Sequence, residues 1–372
     1  MPRIVFFALR DSNERRAALR AGGEAPERYR LFGLDEIARR GARVRHNLER
    51  EGPFPIWARA LDRAVNGPLY RLGGYGGDFT SILASLRKAN SADVIFSTVD
   101  TVGLPLVLLK RAGVVRPPIV YTAIGLPERL EQLRGGHMRR LYRSALRGTR
   151  AIVSYAESEA EWLSEWLGVE APPVHFIPFG VDLDAFRPAP ERELDVDVLS
   201  VGVDPRRDFD LLMTVAARRP ELSFRIIASA HHARALRERP ANVALETDIP
   251  LEQVRDRLAA ARVIALPVRD NSYSGATTTL LQAMAMAKPV VVSRTDAIAE
   301  GYELEDRVNC RLVGPGDADE LERAILETVT GAAAAVSLGL RARETVERSL
   351  SWERYTDALW RILSASAEPS RR

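Results

Sequence analysis

From end to end, short apolar runs alternate with amphipathic stretches, and that alternation constrains the fold of this chain more than any other feature. A short apolar run bounded by polar turns suits a strand buried on both faces, and strands separated by helical stretches build βαβ units around a parallel sheet. The runs predict strands at residues 3–8, 42–48, 93–98, 119–122, 151–154 and 174–177, and again at 197–203, 223–229, 243–246, 263–267, 289–293 and 311–313. Between the two series lies APPVHFIPFGVDLDAFRPAP, residues 171–190, where five prolines and Gly180 interrupt any periodicity. The pattern predicts two doubly wound α/β halves. A single core stops growing at roughly 250–300 residues, so 372 residues also favour two. We read residues 1–183 as a first domain and 184–350 as a second. Residues 351–372 are expected to be a C-terminal helix and tail, because Trp352, Tyr355, Leu359 and Ile362 fall at helical spacing.

Charge narrows the partners. The net charge of +3 is divided unevenly, with 27 Lys+Arg against 21 Asp+Glu in residues 1–185 and a net −3 in the remainder. Only three of the 53 basic residues are lysine, a bias closer to codon composition than to a nucleic-acid-binding patch. A nucleic-acid partner is therefore not expected. The basic first half favours an anionic partner or an anionic membrane face. The single Cys310 excludes an intramolecular disulfide or a cysteine zinc site, and the N-terminal apolar run is too short for a signal peptide or a membrane span. A cytoplasmic location, with peripheral contact at the inner face of the membrane, fits these features.

Two stretches carry the chemistry. In VIALPVRDNSYSGATTTLLQAMAMAKPVVVS, residues 263–293, a buried strand leads through a polar loop into a helix that Pro289 stops. Ser274 is placed to cap that helix, and Gly275 would let a ligand approach the backbone. The first-turn amides near Ala276, Thr277 and Thr278, with the hydroxyls of Thr277, Thr278 and Thr279, would suit an anion. In LSVGVDPRRDFDLLMTVA, residues 199–216, a strand ends in a loop holding Arg206 and Arg207. Two arginines at a strand's carboxyl end can hold a diphosphate bidentately. Equally, Arg207 could pair with Asp208 or Asp210 in a solvated loop.

Taken with the linker, these residues resemble the retaining, nucleotide-sugar-dependent glycosyltransferases of family 4. IPFGVDLDAFRP matches that family's P-x-G-V-D-x-x-x-F-x-P linker. VGVDPRRDF matches its V-G and phosphate-binding arginine, SGATTTLLQAMAMAKPVVVS its E-x7-E and E-A-M-A-x-G-K-P-V-V segment, and CRLVGPGD its G-x-L-V-x-P-G-D. The resemblance is specific over residues 170–330 and loose before them. It implies an α/β chain of the GT-B fold, two Rossmann-like doubly wound domains facing a central cleft, with the C-terminal helix crossing back to the first domain. It also implies a donor site of Gly202, Val203, Arg206, Arg207, Asp248, Ile249, Ser272, Tyr273, Ser274, Gly275, Ala276, Thr277, Thr278, Thr279 and Gln282. Arg207 and Ser274 stand where catalytic contacts are made. On the acceptor side the candidates are Arg10, Gly22, Gly23, Gly125 and His137.

The chain departs from the family where it matters. The two motif glutamates, which contact the sugar and the ribose, fall on Ser274 and Gln282, and the first-domain histidine falls on an apolar position near Ala123 or Ile124. Gln282 can still hydrogen-bond a ribose hydroxyl. Asp-x-Asp pairs occur in four unrelated contexts, at Asp182/Asp184, Asp195/Asp197, Asp208/Asp210 and Asp317/Asp319, which argues against a metal site. His231 and His232 read as exposed loop residues, and LGGYGGDF, residues 72–79, as a mobile loop. The expected activity is transfer of a hexose-type sugar from a UDP- or GDP-linked donor to a glycan, lipid-linked or small-molecule acceptor, without metal or other cofactor. A catalytically degenerate binding homologue and a nucleotide-sugar epimerase are the alternatives.

Overall fold

The computed structural model describes the chain except for residues 23–25, 50–51, 237, 272, 274, 300 and 368–372. Among the described residues, twelve strands form two six-stranded sheets, every pairing parallel. The first sheet holds β1 (Ile4–Ala8), β2 (Arg43–His46), β3 (Val94–Ser97), β4 (Ile119–Ala123), β5 (Ala151–Ser154) and β6 (Val174–Phe176). The second holds β7 (Val196–Gly202), β8 (Phe224–Ala228), β9 (Val243–Thr247), β10 (Ala261–Leu266), β11 (Val290–Ser293) and β12 (Arg311–Val313). All twelve expected runs are strands. The unbroken burial of inner strands such as Val94–Ser97 and Val290–Ser293 follows from the helices that cover both faces of a parallel sheet, whereas the edge strands β2, β6 and β9 are partly exposed.

The strand orders fix where ligands can bind. The second sheet runs β12-β11-β10-β7-β8-β9, so consecutive connections depart in opposite directions from the β7/β10 pair. The first sheet runs β2-β1-β3-β4-β5-β6 and reverses at the β1/β3 pair. In open α/β sheets the crevice outside the strands' carboxyl ends at such a switch point takes the ligand.

The chain divides into two units, Met1–Ile177 with Thr356–Arg372, and Pro178–Tyr355. The division falls between Ile177 and Pro178, a few residues before the 183/184 boundary read from the sequence. The segment after Pro178 is pinned inside the second unit. Val181 N–H donates to Leu350 O at 2.9 Å, Trp352 N–H donates to Val181 O at 2.9 Å, and Phe179 packs on Trp352 and Tyr355 at 5.6 and 5.1 Å. The C-terminal helix Trp352–Ala367 starts in the second unit and continues in the first, where Asp357 pairs with Arg40.

One turn departs from its local preference. In the helix Thr277–Ala285 and the turn after it, Ala287 adopts a left-handed φ of 54° where the resembling family has glycine. Gly339, in the helix Ala332–Ser349, makes room for that turn, since a Cβ there would sit 2.0 Å from Ala287 O. The segment 72–79 is packed and not a lid. Asn66 Nδ2 donates to Gly77 O at 2.9 Å and its Oδ1 accepts from Gly77 N–H at 3.2 Å, and Asp78 N–H donates to Thr101 O at 2.8 Å.

Candidate functional site

At the β7/β10 switch point the loop after β7 and the loop after β10 are joined backbone to backbone. Asp208 N–H donates to Pro267 O at 2.9 Å, Arg269 N–H donates to Arg206 O at 2.8 Å, and Arg207 bridges Val268. Asp204 ties the same loops by side chain. Its Oδ1 accepts from Arg206 N–H at 2.8 Å and from the Tyr273 hydroxyl at 2.8 Å. The two chemically suggestive stretches of the sequence, some sixty residues apart, thus meet at one place.

Arg207 is the centre of that place. Its side chain is 3% exposed and lies along Gly202, where a Cβ would come within 2.2 Å of Nε. The guanidinium sits over the Phe209 ring, 5.8 Å from its centroid, and Nη2 donates to Val201 O. Nε and Nη1 are buried with no hydrogen-bond partner among the described residues. Asp208 and Asp210, the partners that a solvated loop would have offered, are held instead by Arg269 at 3.6 and 2.8 Å. Burial therefore pushes Arg207 down to about 10, with nearby Asp204 only partly offsetting it. A buried guanidinium with two idle donors strongly favours the binding of an anion.

The helix start lies beside it. Thr277–Ala285 has Ala276 at its N-cap and no side-chain cap. The cap is two residues later than the sequence reading because Asn271 Oδ1 accepts from Tyr273 N–H at 3.1 Å and Gly275 N–H turns back to Tyr273 O at 2.8 Å. Ser272 and Ser274, the latter expected to make a catalytic contact, lie outside the described residues. First-turn amides that no described side chain caps and a positive helix end favour an anion, and Thr277 adds a buried hydroxyl with no partner among the described residues. Gly275 packs next to Asp204, Thr278 and Thr279 are half-buried, and Gln282 is buried further along the helix.

Other expected site residues are scattered. Val203 is exposed and Arg206 half-buried in the β7 loop. Asp248 is exposed with a left-handed φ of 50°, its N–H on Ala228 O at 3.3 Å, and Ile249 is half-buried beside it. His232, read as a loop residue, lies in the helix Ala230–Ala235 that Ser229 caps, and its ring meets Phe209 edge-on at 5.4 Å. Burial first, then His231, Arg207 and Arg269, hold its pKa below the usual histidine value.

In the first unit, Arg10 is exposed just past β1, and Gly22 ends the helix Asn13–Ala21 with φ 74°. Gly23 lies outside the described residues. Gly125 is buried at φ 70°, capping the helix Leu126–Glu131. Its turn is held by Glu159, whose Oε1 accepts from Leu126 N–H at 3.0 Å, so Gly125 has a turn-forming task and not an open acceptor face. His137 is exposed on the helix Gly135–Arg147 and not in a turn. The sequence reading missed Asp204, Arg269 and, in the first unit, Arg15 and Arg30. Asp204 and Arg269 lie inside the stretches that carry the resemblance without matching a motif position, and Arg15 and Arg30 lie outside any motif; each matters through a contact made only in the fold.

Residues 33–185 match the family described as Glycosyltransferase Family 4, and residues 198–330 match that described as Glycosyl transferases group 1. No curated protein is matched at a significant level. Among solved structures, the sucrose-phosphate synthase of Thermosynechococcus elongatus superposes with a TM-score of 0.74 at 18% identity, covering 98% of this chain and 100% of that one. HepE of Anabaena, in complex with UDP-glucose, gives 0.67 at 14% identity over 98% and 100%. The alpha,alpha-trehalose 6-phosphate synthase of Burkholderia multivorans gives 0.65 at 14% identity over the whole of both chains. With one glycosyltransferase match in each unit and two parallel Rossmann-like sheets, the protein belongs to the glycosyltransferases of the GT-B fold.

Proposed function

We propose that the protein is a retaining hexosyltransferase that takes its sugar from a UDP- or GDP-linked donor held by the second unit and passes it to an acceptor held by the first, without a metal. The observation that carries the reading is Arg207: a buried guanidinium whose Nε and Nη1 have no partner among the described residues, joined through the Asp204 and Tyr273 contacts to a helix start that no described side chain caps. Such a pair of elements suits a diphosphate. Arg207 would neutralise the leaving group as charge develops on it, and the Thr277–Thr279 amides and hydroxyls would hold phosphate and sugar. Gln282 would take the ribose, and Asp248 and Ile249 would flank the base. Support for a uridine donor is the UDP-glucose bound by the HepE structure.

Retention follows from the family resemblance. With glutamine and serine where the family has carboxylates, no side chain is nominated as a nucleophile, so a front-face departure in which the leaving phosphate takes the acceptor's proton fits best. A cytoplasmic place at the inner face of a membrane belongs to the same proposal. Its support is the basic first half and the exposed Ile56, Trp57 and Leu61 beside Arg59 and Arg63 on the helix Ile56–Arg71. The replacement of both motif carboxylates favours one rival, a homologue that binds nucleotide sugar without transfer. Calorimetry across UDP- and GDP-sugars, followed by proton NMR of the anomeric product, separates them. Binding with slow hydrolysis or transfer to an α-linked product from an α-linked donor supports the proposal. Binding with neither supports the rival, and no binding of any nucleotide sugar refutes both.

A further inference from the structure

The first unit carries a cluster of arginines that the donor reading does not use. It lies at that unit's own switch point: Arg10 follows β1 directly, and β1 pairs with β3, where the order reverses. Arg15, on the first turn of Asn13–Ala21, is the organiser. Its Nη1 donates to Arg10 O at 3.0 Å and its Nε to Arg30 O at 3.2 Å, which brings three guanidinium-bearing residues together from separate segments. The Arg15 guanidinium lies over Phe32, 5.4 Å from the ring centroid. Phe32 takes a left-handed φ of 55° and stacks on Tyr155 at 6.4 Å. Strain of this kind in a non-glycine residue persists where the surroundings demand it.

The positive charge is only partly balanced among the described residues. Asp11 is occupied by Arg16 at 2.6 Å, and Glu36 sits with Arg28 and Arg39 at 3.6 and 3.5 Å. Glu14, exposed and bonded to Ser12, lies close enough to Arg15 and Arg30 to offset part of their charge. Among the described residues Arg10 and Arg30 form no side-chain hydrogen bond or ion pair, Arg30 Nε is buried without a hydrogen-bond partner, and the Arg30 guanidinium lies over the Tyr29 ring, 5.6 Å from its centroid. Burial of Arg15, with repulsion from Arg10 and Arg30, pushes its pKa down to about 10. Like charges held this close disfavour the empty site and favour an anion with several oxygens to share among them.

We infer that Arg10, Arg15 and Arg30 form an anion site at the β1/β3 switch point, and that the acceptor enters it by a phosphate group. The acceptor's part in this rests on the glycosyltransferase activity proposed above; the anion site stands on the arginines alone. A phosphate monoester offers two charges and three oxygens, enough for guanidinium groups approaching from three segments, whereas a carboxylate would leave one unmatched. Arg10 and Arg30 would bind it, and Arg15 would hold them in register.

The test is calorimetry with glucose 6-phosphate and, separately, UDP, on the full chain and its Arg10→Gln, Arg30→Gln and Arg207→Met variants. Neither Arg10 nor Arg30 supports the fold by a side-chain hydrogen bond among the described residues, so Arg10→Gln should melt with the parent, and Arg30→Gln, which loses the contact with Tyr29, should remain folded and melt slightly lower. Each should weaken glucose 6-phosphate about tenfold and leave UDP within about threefold. Arg207→Met should do the reverse. Unchanged glucose 6-phosphate affinity in both glutamine variants, loss only in Arg207→Met, or no binding to the parent protein at millimolar concentration overturns the inference. Failure of UDP to bind, with the glucose 6-phosphate pattern intact, would instead sink the donor reading and leave the anion site standing. Sedimentation with phosphatidic acid and with phosphatidylcholine vesicles identifies the source. Arginine-dependent retention on phosphatidic acid alone assigns a lipid phosphate, and no retention assigns a soluble one.

Discussion

Replacing Arg207 by methionine should make the empty protein more stable and the donor-bound protein much less so. Arg207 is fully charged at neutral pH in both the folded and the unfolded chain, yet burial brings it down to about 10 in the fold. That depression is a charge burden on the folded state, on the order of 3 kcal/mol, at every pH below about 10. The burden lifts only as the pH rises through that value, because the folded chain then releases its proton before the unfolded one. Methionine fits the same slot along Gly202 and Phe209 and carries no charge. It loses the bond to Val201 O, which contributes about 1 kcal/mol. The variant should therefore gain about 1–2 kcal/mol without ligand, a rise in Tm of about 2–8 °C for a unit of this size. UDP affinity should fall at least about a hundredfold, since two charge-assisted bonds from Nε and Nη1 disappear. Differential scanning calorimetry and titration calorimetry read the two effects separately. A variant that melts lower than the parent and binds UDP within about threefold would show that Arg207 is a structural cation and that the phosphate is held elsewhere.

Gly202→Ala places a methyl group 2.2 Å from Arg207 Nε, so the guanidinium must move, and UDP affinity measured by calorimetry should drop about tenfold or more with Arg207 still present. Ala287→Gly removes a left-handed alanine at φ 54° and should stabilise by about 0.5–1 kcal/mol in urea unfolding; destabilisation would mean that the turn is unstrained. Glu159→Gln tests a buried acid that burial raises to about 8. Ser154 Oγ lies 2.7 Å from Glu159 Oε2 and 3.0 Å from Ala156 O, and its single proton serves one of them, so a protonated Glu159 completes the set. The folded state then binds a proton that the unfolded state has released, and stability should fall as the pH rises from about 5 to about 8. The amide introduced by Glu159→Gln mimics the neutral acid and should flatten that slope while leaving stability at pH 5 nearly unchanged; an unaltered slope would refute the assignment.

Much of this protein is legible in its sequence. Twelve strands, two parallel sheets, the proline-rich joint and the Arg207 loop are written in residues close together in the chain. Strand length, apolar runs and turn chemistry act over a handful of residues, so a linear reading reaches them. What the tertiary structure decided is which polar groups are already engaged. Whether Arg207 pairs with Asp208 or waits for an anion depends on Arg269, which takes both local carboxylates from another loop. The helix starts at Thr277, past Ser274, because of the turn built on Asn271, and Gly125 is buried in a turn that Glu159 holds. The cluster in the first unit has no motif at all. It exists because Arg15 reaches two backbone carbonyls, one five and one fifteen residues away, and holds like charges together. Periodicity is a short-range property of a chain; the pairing of charges is settled only when distant segments come into contact, and the groups left over after that pairing are the ones free to bind a ligand.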